Sequence, residues 1–168
     1  MTDEALLAEL LAQEERLVFE RFDNDTAIAL GEALVARGRR EKLAITVDIC
    51  RGEQQIYHCA LAGTVADNDH WVARKNAVVR RFGHSSYYMG VKARVRGVDL
   101  SDSHYVDPRA FSAHGGAFPI IVRHVGLVGT ATVSGLPQAD DHALVVAVIE
   151  EFLGALPVEE SGAEVWTA

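Results

Sequence analysis

A chain of 168 residues, 49% of them hydrophobic, is long enough to build one domain around its own core. No stretch approaches the ~20 apolar residues of a membrane-spanning helix, and the opening MTDEALLAEL is acidic where a secretory signal is basic, so a soluble cytoplasmic protein is expected. A net charge of −8 argues against nucleic acid as a partner.

Leu6, Leu7, Leu10, Leu11 and Leu17 stand at helical spacing over residues 4–18. Asp25 or Thr26 can cap a second helix carrying Ile28, Leu30, Leu34 and Val35, with its end near Gly38. LAITVDIC then alternates, with Leu43, Ile45, Val47 and Ile49 on one face and Thr46, Asp48 and Cys50 on the other. RGEQ turns it into a second strand, QIYHCALA. A tight turn at Gly52-Glu53 sets Cys50 opposite Gln55, Cys59 opposite Thr46 and His58 opposite Val47. The two sulfurs then lie about four residues apart at ~3.3 Å each, too far for a disulfide. Both are expected to be free structural thiols, since they also lack the paired spacing of a zinc site.

A basic amphipathic helix follows, from about Asp69 to Phe82, and SSYYMGVKARVRG fits either a helix or irregular chain. Residues 99–116, rich in Ser, Asp, His and Gly, read as a long ordered loop of the kind that carries function. AFPIIVRH and LVGTATVS form a second hairpin around Val125-Gly126, and Pro119, lacking an N–H, places its strand at an edge or an irregularity. Pro137 starts a last helix bearing Leu144, Val145, Val148, Ile149, Phe152 and Leu153; the tail after Pro157 is expected to be loose. The order ααββα(α)ββα predicts a single α/β (α+β) domain with a central antiparallel sheet and helices packed on it.

The charge is unevenly placed. Seven basic residues and no acidic one fall between Arg74 and Arg96, which points to an anionic ligand or an acidic partner surface. On a helical wheel of ~100° per residue, Trp71, Val78, Val79 and Phe82 form an apolar sector with Lys75 in its middle, and Arg74 and Arg81 along one edge. Lys75 can snorkel to water, or it can reach a carboxylate together with Arg74. Ser85, Ser86, Tyr87 and Tyr88 offer hydroxyl donors just beyond. Asp141 shares a stripe with Val145, Val148 and Phe152 and therefore faces inward. It can accept backbone N–H bonds in the first turn, or, with neighbouring His142, pair with the basic zone or border a pocket.

Of the seven histidines, His58 is expected in the core, and His70, His84 and His124 at solvated element ends. His104 and His114 lie in the long loop, where an imidazole is best placed for function. No HxH, HExxH, CxxC or phosphate-binding glycine motif is present. Gly115-Gly116 permit unusual backbone angles and close approach, which suits an anionic group or a packed neighbouring backbone equally well.

Trp71 with Arg74-Lys75, Arg80-Arg81-Phe82, Ser85-Ser86, the run from His114 to Ile120, Val133-Ser134-Gly135-Leu136 and Asp140-Asp141-His142 together form a pattern over about residues 10–155. The pattern resembles the haem-degrading domain (HbpS-like) family, in a cytoplasmic branch of it. The resemblance implies a profilin-like fold, assembly into homo-oligomers, and haem or iron binding or haem breakdown. Under it, Arg74, Lys75 or Arg81 would meet haem propionates and His114 or His104 would approach the iron. Ser85, Ser86, Gly115, Gly116 and Asp141 complete the candidate site. The alternative is a non-enzymatic oligomeric scaffold or protein-interaction module, with the basic helix and the His114-Gly115-Gly116 segment building subunit interfaces and a pocket for a small anion. Inward Lys75 and Asp141 would both be satisfied at a contact between subunits, so at least a dimer is expected.

Overall fold

A computed structural model describes residues 1–156; the expected loose tail lies outside the described residues. α1 (Asp3–Arg16) is capped by the Thr2 hydroxyl, which accepts from the Ala5 N–H. β1 (Val18–Phe19) leads to α2 (Asn24–Arg40), whose cap is Asp23, two residues earlier than the sequence suggested. α2 also runs past Gly38, which is buried inside the helix where Ile45 and Leu61 crowd its Cα. The first hairpin is β2 (Thr46–Arg51) with β3 (Gln54–Ala60).

α3 (Ala66–Phe82) begins three residues before Asp69, where the Asn68 side chain accepts from the Val65 N–H. The ambiguous SSYYMGVKARVRG stretch is helical, as α4 (Ser86–Arg96). The long loop contains a short helix, α5 (Leu100–His104), so it is not all irregular. The second hairpin, β4 (Ala117–Val122) with β5 (Gly126–Ser134), precedes α6 (Gln138–Ala155), which starts directly after Pro137.

The sheet has five strands in the order β1-β4-β5-β2-β3. Four pair antiparallel as expected; β1, too short to show a period, adds a parallel pairing to β4. β1 reaches only Ile121 and Val122, so Pro119 has no partner strand on its outer side and its missing N–H costs no ladder bond.

The first hairpin departs from a regular ladder. Cys50 faces Gln55 as expected, but a register shift at Ile49/Cys50 moves Cys59 opposite Val47 and His58 opposite Asp48. Both thiols are free. Burial and the neighbouring Asp48 carboxylate push the Cys50 thiol up to about 11, which leaves it an unreactive buried group.

Helices cover both faces of the sheet. On one face Leu30 and Leu34 of α2 and Val145, Val148 and Ile149 of α6 pack against Val47, Ile49, Phe118, Ala131 and Val133. On the other, α3 lies across β5, β4 and β2, and α1 packs outside it on α4 through Leu10, Met89 and Val91. Among the described residues no helix is long and apolar enough to cross a membrane.

Candidate functional site

The face under α3 is buried yet polar. Thr46, Asp48 and Cys50 of β2 stand beside Ser134, Thr132 and Thr130 of β5 in register. The Asp48 carboxylate accepts from Asn76 Nδ2 (3.0 Å), Gln55 Nε2 (2.6 Å) and the Cys50 thiol, and lies 3.1 Å from His58 Nδ1. His58 therefore pairs with a buried carboxylate, and its Nε2 reaches Asp69 at 3.0 Å. Asn76 also accepts from the Thr132 hydroxyl.

At the end of this face Lys75 is 3% exposed, and its ammonium donates to Asp141 Oδ2 (2.9 Å) and the Val133 carbonyl (3.1 Å). Asp141 accepts in addition from the Leu136 N–H (2.9 Å) and the Gly135 N–H (3.3 Å). The backbone-acceptor and ion-pair roles open to Asp141 in the sequence are thus filled at once. Lys75 does not snorkel, and neither residue needs a second subunit, because each satisfies the other within one chain. Burial pushes the Lys75 pKa down and the Asp141 pKa up, and their mutual attraction opposes both shifts.

Gly115 and Gly116 make room for this pair. Gly116 has φ +131°, and a Cβ there would lie 2.6 Å from Lys75 Nζ and collide with the Val133 carbonyl. A Cβ on Gly115 would meet the Gln138 carbonyl, and the Gly115 N–H instead donates to Gln138 Oε1 (3.2 Å). The glycine pair thus packs against neighbouring backbone and cradles an ammonium.

His114 stands next to them. The loop is tied to α3 where the Ser112 N–H donates to the Arg74 carbonyl, and the Ser112 hydroxyl engages His114 Nδ1 (2.9 Å). The ring meets Trp71 edge-on at 5.0 Å. His114 Nε2 has no hydrogen-bond partner among the described residues. Burial, then the charges of Lys75 and Arg74, holds the His114 pKa below its ordinary value, which favours the neutral imidazole. The Arg74 guanidinium lies 4.1 Å over the Trp71 ring and has no carboxylate partner among the described residues.

Two cavities share the wall formed by Trp71, His114 and Gln138. The larger, about 490 Å³, opens between α3, α4 and the 97–114 segment, with Leu100, Val106 and Phe111 as apolar lining and Arg74 and Arg94 as cations. The smaller, about 260 Å³, adds Asn68, Lys75, Ser134 and Asp141.

The remaining candidates lie elsewhere. Ser85 caps α4 by accepting from the Tyr88 N–H, and the Ser86 hydroxyl accepts from the Ala117 N–H. Arg81 donates to the His104 carbonyl and lies over Phe82 and Phe111; His104 packs on Phe82 and bonds Ser103. None of these four lines either cavity. The sequence reading missed Gln138, Asn68 and Ser112, uncharged side chains that carry no spacing signal. The position of Gln138 in the first turn after Pro137 was its one available cue.

The family described as haem-degrading protein HbpS-like matches residues 22–150. A UPF0303 protein of Streptomyces coelicolor is 51% identical over 148 residues, covering 88% of this chain and 94% of its own. The crystal structure of Ybr137w protein superposes with a TM-score of 0.80 at 30% identity, over 88% of this chain and 87% of that one. The PduOC:heme complex shares the fold at a TM-score of 0.62 and 16% identity, over 79% and 94% of the two chains. Carrying the open sheet under helices and the residues from Trp71 to His142 that mark the pattern, this chain belongs to the HbpS-like haem-degrading protein family.

Proposed function

We propose that the protein binds haem in the larger cleft. The observation that carries this reading is His114 Nε2, a ring nitrogen without a protein partner on an aromatic and aliphatic wall, with the carboxylate-free Arg74 beside it. A porphyrin asks for that combination: an apolar slot for its ring, a neutral imidazole for its iron and a cation for a propionate. The residues fit. His114 would face the iron, with Ser112 fixing the ring, and Arg74 would meet a propionate. Lys75 is already bonded to Asp141, so of the adjacent Arg74 and Lys75 it is Arg74 that is left for the ligand. Arg81 and His104 hold the covering segment in place, while Ser85 and Ser86 position α4. Bound haem would supply its redox-active iron, and the chain's part is to bind, orient and shield it. The family description and the haem complex of the PduOC neighbour support the same reading.

Self-association and a cytoplasmic setting belong to the proposal. The free edge of β3 and Tyr105, 94% exposed, offer surface for a second copy, and two free thiols suit a reducing compartment. Titration with haemin is the test: a saturable Soret shift that weakens in His114→Ala and in Arg74→Ala supports the reading, and no saturable shift rejects it. Light scattering that returns an 18.3 kDa monomer would reject self-association.

A further inference from the structure

We propose that the smaller pocket is a binding site for a short-chain monocarboxylate, with the Lys75 ammonium and the Gln138 amide as its donors. The site stands beside the haem reading and does not depend on it.

An ammonium has three N–H donors. Lys75 gives two, to Asp141 and the Val133 carbonyl, and the third has no acceptor among the described residues although the residue is 3% exposed. Its position on the pocket lining leaves that donor a ligand to meet. Gln138 is half-engaged in the same way. The Gly115 N–H needs an acceptor, which turns Oε1 toward it and leaves the NH2 group without a protein acceptor. Two free donors thus border one pocket, and a carboxylate brings two acceptor oxygens.

Electrostatics select the sign of the ligand. Asp141 also borders the pocket, but its Oδ1 accepts from the Leu136 N–H and its Oδ2 from Lys75 and the Gly135 N–H, so its charge is compensated. Arg74, next to Lys75 in sequence, has no carboxylate of its own. With the Lys75 and Asp141 charges offset against each other, Arg74, stacked on Trp71 of the shared wall, leaves the local balance positive. Size selects the class. About 260 Å³, with Trp71 and Leu136 as the apolar surface, suits a carbon chain of a few atoms and excludes a porphyrin.

Trp71 lies on this pocket and is one of two tryptophans, so in a Trp166→Phe chain the fluorescence comes from the wall that this pocket shares with the larger cleft. In that chain propanoate should give a saturable change, and propanamide, its neutral isostere, should bind at least about tenfold more weakly. Gln138→Glu keeps the acceptor for Gly115 but replaces the free donor with an oxygen. It should weaken propanoate by at least about tenfold while the melting temperature stays as it was. The proposal falls if propanoate gives no saturable change, if propanamide binds equally well, or if Gln138→Glu binds propanoate like its parent. Haemin is read at its Soret band, so either site can fail without the other.

Discussion

On the side of the sheet that meets α2 and α6, Ile45, Val47, Ile49, Phe118, Ala131 and Val133 are buried without a polar group among them. The side beneath α3 carries Thr46, Asp48, Cys50, Thr130, Thr132 and Ser134 at the same depth. The first side is held by area, at about 25 cal/mol per Å² removed from water, and tolerates any residues of suitable shape. The second depends on partners for its charged and amide groups, because a buried polar group left alone costs more than a made bond returns; the Thr46 and Thr130 hydroxyls are buried there without one. Such a surface is tightly specified, and the Lys75–Asp141 pair and the smaller pocket lie at its end.

Lys75→Met tests the difference between the two sides most directly. It leaves the Asp141 carboxylate buried without its ion partner and should cost about 3–5 kcal/mol in denaturant unfolding. The double variant Lys75→Met/Asp141→Leu should recover most of that loss. A single variant as stable as its parent would show that the polar side is not specified by partners.

A second test uses acid. His142 is 4% exposed, its Nε2 is engaged with Gln13, its Nδ1 has no partner, and burial pushes its pKa down to about 4. Lowering below the ordinary value near 6.5 means that the unfolded chain takes up the proton first. The stability that His142 contributes is complete above about pH 6.5 and is lost as pH falls toward 4, by about 3 kcal/mol. Unfolding free energies across that window should show this slope, and His142→Phe should flatten it.

Gly116→Ala should come next, at about 2 kcal/mol or more, because it combines a left-handed φ with a collision against the Val133 carbonyl. Its melting temperature should fall together with any change in ligand binding, since the obstruction is inside the fold.

The smallest effects separate two hydroxyls on the same side of the sheet. Thr132 donates to Asn76, and Thr132→Val should cost about 1–2 kcal/mol. The Thr46 hydroxyl is buried without a partner, so Thr46→Val should be neutral or slightly stabilising. Equal costs for the two would mean that a partner does not decide what a buried hydroxyl contributes.

The same contrast explains what could be read from the sequence. The apolar side was legible, because alternation in LAITVDIC and a 3.6-residue period in the helices follow from area alone. The inward settings of Lys75 and Asp141 were legible for the same reason, as charges interrupting apolar stripes. The sequence leaves open that Asp141 meets the basic zone but does not tell which cation it meets, since the contact joins α3 to α6 across 66 positions and no local period encodes a partner. The bulge at Ile49/Cys50 carries no compositional mark either, yet it moves His58 from Val47 to Asp48 and turns an expected core ring into one that clamps two carboxylates. β1, at two residues, is shorter than any period.

The strand order bears on how the chain reaches this state. Each hairpin, β2–β3 and β4–β5, closes over a short turn, but the sheet becomes one only when β2 docks on β5, with Thr46 against Ser134 and Arg51 against Gly129. That seam closes a loop containing α3, α4 and α5, so its entropy must be met before its contacts return anything. The hairpins should therefore be early and the seam late on the folding path, with φ-values high at the turns and low at Val47 and Val133. In a newly made chain, the edges of β2 and β5 would stay open to other chains until the last of these steps.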